Sequence, residues 1–366
     1  MESVSSAETA AATADATVPT GVTLTNPGSP LRGTVGLSGA AFDTGSGIAL
    51  IRFQLAPTGT TAWSDGCTTT TSPASCTLMT NAFADGVYDL RVLATDGAGN
   101  ATASATIAGR RIDNTGPTVN LASPAAYVSG TVTLTATATD AGSGLTSLRI
   151  ERAPTGASTW TAICTVATSP ASCPWSTTAL PNGGYDLRAV ATDAAGNTTN
   201  SALVANRIVD NTAPTATDIQ TTNVAGGVAG KPETGDVITY SFSEPMAPAS
   251  ILSGWTGAAT PVMARFVNGT PDVISIFNAA DTTQLALGNM TSGKKYVTTT
   301  TTFSASSMVL SGNTIVITLG TAGGATATST QTTSLQWTTS TAATDRAGNP
   351  LGATTVTETG ALDLDF

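Results

Sequence analysis

The 366-residue sequence predicts an all-β protein built as β-sandwich domains in a linear array. Three observations carry that prediction. Thr, Ala, Ser and Gly dominate, while the helix-favouring Leu, Glu, Lys and Gln are scarce. One long segment is written twice at a spacing of 97 residues, as from Cys67 to Cys164. Each copy breaks into about seven short runs, many of them alternating apolar and polar residues, with turn-forming residues between them.

The repeat superimposes without a gap. Leu24 falls on Leu121, Pro27 on Pro124, and Asp43-Thr-Gly-Ser-Gly on Asp140-Ala-Gly-Ser-Gly. Trp63 meets Trp160, and Tyr88, Asp96, Asn100 and Asp113 meet Tyr185, Asp193, Asn197 and Asp210. A domain-sized period means tandem domains rather than solenoid turns. The expected division is a flexible tail over 1–18, repeats over 19–113 and 114–210, and a larger, divergent domain over 211–366.

The strands of the second copy show why. "TVTLTATATD" sets Val132, Leu134, Ala136 and Ala138 against threonines. "YDLRAVATD" puts Tyr185, Leu187, Ala189 and Ala191 on one face, with Asp186, Arg188, Val190 and Thr192 on the other. "DGVY" and "NGGY" lead into Tyr88 and Tyr185 as a tyrosine corner leads into the sixth strand of an immunoglobulin-like sandwich.

The quoted strings resemble bacterial immunoglobulin-like domains, the tandem modules of surface proteins and giant adhesins. The resemblance rests on "GVYDLRVLATDGAGN" with "IDNTGPT", and on "GGYDLRAVATDAAGN" with "VDNTAPT". The third segment, with "GDVITYSFSEPM" and "ATDRAGNP", resembles another such module, about half as long again. Its excess lies between Trp255 and Leu310 and reads as extra strands or long loops.

Charge and composition exclude several function classes. The net charge is −10, so no electrostatic footprint for nucleic acid or anionic membrane exists. There is no histidine, which removes the commonest general base and every Ser-His or Cys-His pair. No apolar run is long enough to span a membrane. The opening "MESVSSAETAAATADATVPTG" has neither a basic n-region nor an apolar core, and "ALDLDF" carries no sorting motif. Targeting signals are therefore expected outside this sequence.

The four cysteines fall one pair per repeat, in "CTTTTSPASC" and "CTVATSPASC". The equal spacing reads as a hairpin or loop clipped by local disulfides, Cys67–Cys76 and Cys164–Cys173. Zinc would lack ligands, and free buried thiols are the plainer alternative. Disulfides would place the chain outside a reducing cytoplasm.

Thr-Asp-x-Ala-Gly-Asn occurs three times, around Asp96, Asp193 and Asp345. As a turn it needs nothing more: Gly supplies positive φ, Asn tolerates it, and Asp caps the turn. As a ligand set it offers oxygens to calcium. The resemblance implies calcium held by aspartates at and near domain junctions. Carried over, the ligands are Asp96, Asp113, Asp193 and Asp210, with Asn100 and Asn197 behind them. The loop around Asp140 could also reach the junction. No loop alternates carboxylates as an EF-hand does.

Smaller signals are bland. The three lysines, Lys231, Lys294 and Lys295, all lie in the third domain, so only that domain could form an intradomain isopeptide, and exposed lysines are the expectation. Trp63 and Trp160 read as packing residues before sugar platforms. The sequons at Asn100, Asn197, Asn268 and Asn289 suit chance in a Thr-rich chain. Glu233, Asp236 and Glu244 do not make a glycosidase pair. The resulting expectation is a non-enzymatic, extracellular stalk or adhesion fragment of a bacterial surface protein. Its partners would be a cell-surface glycan or protein, or neighbouring copies of itself. The rivals are an accessory region of a secreted enzyme and a lattice or filament subunit.

Overall fold

A computed structural model describes residues 14–360, 364 and 366. Domain 1 contains β1 (Thr20–Leu24), β2 (Thr34–Phe42), β3 (Ile48–Pro57), β4 (Ser64–Thr69), β5 (Ala74–Met79), β6 (Gly86–Asp96), β7 (Ala101–Ala103) and β8 (Ile107–Ile112). One sheet runs β1-β2-β5; the other runs β4-β3-β6, with β7 and β8 both pairing β6. Domain 2 repeats this with β9 (Thr118–Leu121), β10 (Tyr127–Val128), β11 (Thr131–Thr139), β12 (Leu145–Pro154), β13 (Thr161–Val166), β14 (Ala171–Ser176), β15 (Gly183–Asp193), β16 (Thr198–Asn200) and β17 (Val204–Val209). Its sheets are β14-β11-β9 and β10-β17-β15-β12-β13, with β16 on β15.

Alternation places the core as expected. Tyr88, Leu90, Val92 and Ala94 of β6, and Tyr185, Leu187, Ala189 and Ala191 of β15, are all buried. Asp186 departs from the pattern: it is buried on the outer face, where it accepts hydrogen bonds from Gly156 N and Asn206 N. Both tyrosine corners close, from Tyr88 Oη to the Ala84 carbonyl (2.9 Å) and from Tyr185 Oη to the Pro181 carbonyl (3.2 Å).

Cys67 bonds Cys76 and Cys164 bonds Cys173. The pairing is the expected one, but the place differs. The two cysteines of a pair lie on edge strands of different sheets, β4 with β5 and β13 with β14. Each disulfide therefore ties the two sheets together along one open side. Closing about ten residues stabilises by roughly 2.5–3 kcal/mol in the chain-entropy model. Trp63 and Trp160 pack outside the core. Half-buried Trp63 lies under Arg91 at 4.0 Å, and Trp160 under Arg188 at 4.2 Å.

Domain 3 contains β18 (Ala216–Thr222), β19 (Val237–Phe242), the short helix α1 (Pro248–Ile251), β20 (Thr260–Val267), β21 (Val273–Asn278), β22 (Gln284–Thr291), β23 (Thr301–Ser311), β24 (Thr314–Thr318), β25 (Thr321–Ala322), β26 (Gln336–Thr338) and β27 (Thr355–Thr357). The excess segment is mostly strands, β20 to β23. They join one sheet in the order β18-β19-β24-β23-β20-β21-β22-β26-β27, with β25 on β23. Gln220 Nε2 donates to the Thr359 carbonyl, and Thr359 N to Asp218 Oδ1, so the two ends of the sheet meet. Trp337 fills the centre, edge-on to Tyr240 and Phe242. Lys294, expected at the surface, is buried. Among the described residues no helix is long and apolar enough to cross a membrane.

The tail requires correction. Residues 1–13 lie outside the described residues, but Asp15 and Thr17 are docked on domain 1. Asn100 Nδ2 donates to both of their carbonyls, and Ser46 N donates to Asp15 Oδ2.

Candidate metal centre

The Asp-x-Ala-Gly-Asn turn folds the same way three times. Asp96 Oδ1 accepts from Ala98 N and Asn100 N, and Gly99 takes φ +95°. Asp193 Oδ1 accepts from Asn197 N, and Asp345 Oδ1 from Ala347 N and Asn349 N. The three aspartates are about 2% exposed. So the structural reading of the turn holds. The asparagine side chain then leaves the turn. Asn197 Nδ2 donates to Asp193 Oδ2 (2.8 Å) and to the carbonyls of Asp113 (3.0 Å) and Thr115 (3.3 Å) in the linker from domain 1. Asn349 Nδ2 does the same to Asp345 Oδ2 and the carbonyls of Asp210 and Thr212.

That clasp brings three carboxylates together at each linker. The groups are Asp15, Asp43 and Asp96; Asp113, Asp140 and Asp193; and Asp210, Glu244 and Asp345. Within each group one oxygen from every residue lies within 4.8 Å of the others. The linker aspartate is held twice, since Ser46 N and Ser143 N donate to the carboxylates of Asp15 and Asp113, both at 2.6 Å. The middle member caps its own loop, as Gly47 N to Asp43 Oδ2 and Gly144 N to Asp140 Oδ2 show.

The aspartates named from the sequence are thus all present, and the Asp140 loop reaches the junction. Asp96 does not share a site with Asp113, because the strand between them carries Asp113 to the next domain. Asp113 meets Asp193, and Asp210 meets Asp345. Asn100 and Asn197 lie beside the carboxylates with their amide nitrogens spent on the linker. Asp15, Asp43, Glu244 and Asp345 were not expected. A signal for Asp15 existed: "DATVPT" parallels "DNTGPT" and "DNTAPT", but at an offset of 98 rather than 97. The extra residue is absorbed where β1 shifts register between Thr20 and Thr23, around Gly21 at φ +57°.

The electrostatics follow from crowding. Burial, then the neighbouring Asp210 and Asp345 carboxylates, push the Glu244 carboxyl up to about 7. Asp15 is held below the usual carboxylate range by hydrogen bonds from Thr17 and Ser46. The donor set suits a hard divalent cation, being oxygen throughout. One observation supports the fit: Asp43 Oδ1 is buried with no hydrogen-bond partner. Another is steric. A Cβ on Gly45 or Gly142 would come within 2.3 or 2.5 Å of the Asp15 or Asp113 carboxylate, so glycine keeps that space open. A cleft of about 390 Å³ adjoins the second group, lined by Asp85, Arg111, Asp113 and Asp140 among others.

Residues 117–189 match the family model for a bacterial Ig domain, and residues 171–237 that for a bacterial Ig-like domain of group 3. No curated protein matches the chain. Among solved structures, the fibronectin(III)-like modules of Clostridium thermocellum CbhA share 18% identity over 52% of this chain and 93% of theirs, at a TM-score of 0.31. A tetra-tandem repeat from the extending region of a large adhesion protein shares 16% over 92% of this chain and 87% of its own, at 0.24. Three N-terminal domains of the bacteriophage RB49 outer capsid protein Hoc share 13% over 92% and 94%, at 0.31. The family models lie on the second repeat and the start of the third domain, so those segments are similar to bacterial immunoglobulin-like domains, and the first repeat folds as the second does.

Proposed function

We propose that the chain is a non-enzymatic stalk segment of a bacterial surface protein, working outside the cytoplasm. Its sandwiches are held in line at joints that a calcium ion tightens. The observation that carries this reading is the threefold recurrence of one linker clasp with three carboxylates beside it. A turn needed only for its own domain has no reason to reach the preceding linker each time. Asp113, Asp140 and Asp193 would hold the cation at the first joint, and Asp210, Glu244 and Asp345 at the second. Asp15, Asp43 and Asp96 would hold one at the start of domain 1. A bound cation offsets the mutual repulsion of three carboxylates and couples linker to domain.

Domain 3, with its longer connections, is the part that would meet a cell-surface glycan or protein, because loops on rigid scaffolds carry binding. The two disulfides suit an oxidising compartment.

Solution scattering of the whole chain tests the joints. Extracellular calcium is around millimolar, and a site with a dissociation constant near 100 µM would contribute about 1.4 kcal/mol. Chelation should leave the sandwiches folded and broaden the end-to-end distribution. An unchanged scattering profile and unchanged melting would refute the cation-tightened joint.

A further inference from the structure

We infer that Asn100, Asn197 and Asn349 are positioning residues: each clamps the linker that enters its domain and so presents the linker aspartate to the cluster. The second half of this statement rests on the cation reading above; the first half does not.

The argument is one of donors and acceptors. An asparagine Nδ2 carries two hydrogens to donate and accepts nothing, so what it faces must be oxygen acceptors. In all three copies it faces three oxygens: the Oδ2 of the turn's own aspartate and two linker carbonyls. The two carbonyls belong to residues two apart in sequence, Asp15 and Thr17, Asp113 and Thr115, or Asp210 and Thr212. Holding both fixes the linker's path as well as its position. A proline follows two residues later, at Pro19, Pro117 or Pro214, and biases the residue before it towards extended backbone. With the carbonyls fixed, the linker carboxylate points at the loop that donates to it through Ser46 N or Ser143 N. The hold is directional, since each domain grips the linker that precedes it.

Residue chemistry explains why Asn recurs. Aspartate has the same shape but cannot donate, and glutamine is one methylene longer. The backbone N–H of the same asparagine also closes its turn on the aspartate, so turn and clasp are set by one residue.

The isosteric change Asn197→Asp separates the two roles. A ligand would be improved by a carboxylate; a donor would be abolished by it. In the whole chain, Asn197→Asp and Asn197→Ala should each speed hydrogen exchange over residues 113–118 by about tenfold or more, with or without calcium. Peptides over 210–215 should be unchanged, and strands β12 and β15 should keep their protection. Calorimetric titration with calcium should show one of the sites weakened by about tenfold and the others intact. Wild-type linker protection in Asn197→Asp, or calcium bound as tightly or more tightly at that joint, would overturn the inference. If the unaltered chain takes up no calcium, the cation reading fails alone, and the exchange of residues 113–118 still decides the clasp.

Discussion

The two interdomain joints share a clasp and differ in almost everything around it. At the first joint the brace comes from the preceding domain: Arg32 reaches over the next domain's turn, within 3.0 Å of where a Cβ on Gly196 would sit. At the second joint both domains contribute. Arg346, inside the turn itself, donates to Tyr127 Oη at 3.3 Å and lies 5.6 Å from that ring, while Ser129 Oγ donates to the Ala347 carbonyl. The linker cradle differs too. Asp85 accepts from Asn114 N and Thr115 Oγ1, where Asn182 instead donates to Asp210 Oδ1 and Thr212 Oγ1. The third carboxylate is Asp140 at one joint and Glu244 at the other. What persists is the hydrogen-bonded hold on the linker; what varies is the surface brace and the charge. That division is expected physically. Replacing one member of the clasp strands buried polar groups, whereas an exposed brace is worth little.

The largest expected effect comes from breaking the clasp at its anchor. Asp193→Ala would strip the acceptor from Asn197 N and Asn197 Nδ2 and should destabilise domain 2 by about 3 kcal/mol. Asp345→Ala should do the same to domain 3. Thermal melting of the whole chain, with the domains read separately by hydrogen exchange, checks this. Equal, negligible losses at both joints would mean that the turns are ornamental.

Next is the charge at the second joint. The folded-state pKa of Glu244 is raised to about 7, above its ordinary 4.5. The unfolded chain therefore releases its proton first. Stability suffers nothing below about pH 4.5, falls as the pH rises towards 7, and stays reduced above that. Discounted for partial exposure, the loss is about 1–2 kcal/mol in chelator. Glu244→Gln should remove that slope for domain 3 and leave domain 2 unchanged. An unaltered pH profile in the variant would show that the carboxylates do not crowd each other.

The smallest effects are the braces. Arg346→Ala should cost the second joint about 0.5–1 kcal/mol, seen as a modest widening in scattering with no change in domain melting. Arg32→Ala should touch only the first joint, and less. If Arg346→Ala widened the array as much as Asn349→Asp, the brace and not the clasp would set the joint.

The repeats were legible because their information is local. Period-2 alternation names the core of β6 and β15, "DGVY" and "NGGY" name the corners, and the equal cysteine spacing names the disulfides. Domain 3 was less legible because Thr- and Ser-rich strands such as β23 alternate weakly, so the same letters serve strand and loop. The buried position of Lys294 had no sequence signature at all.

The site shows the same boundary more sharply. Sequence alone determined that Asp96, Asp193 and Asp345 sit in identical turns, since a turn is decided by residues within five positions of one another. It also determined that Asp113 and Asp210 stand at junctions. Which aspartates meet was decided only by tertiary structure. A strand about six residues long carries the linker from one end of a sandwich to the other, so Asp113 leaves Asp96 behind and arrives at Asp193. Periodicity reports which positions are equivalent; only the path of the chain through space reports which of them touch.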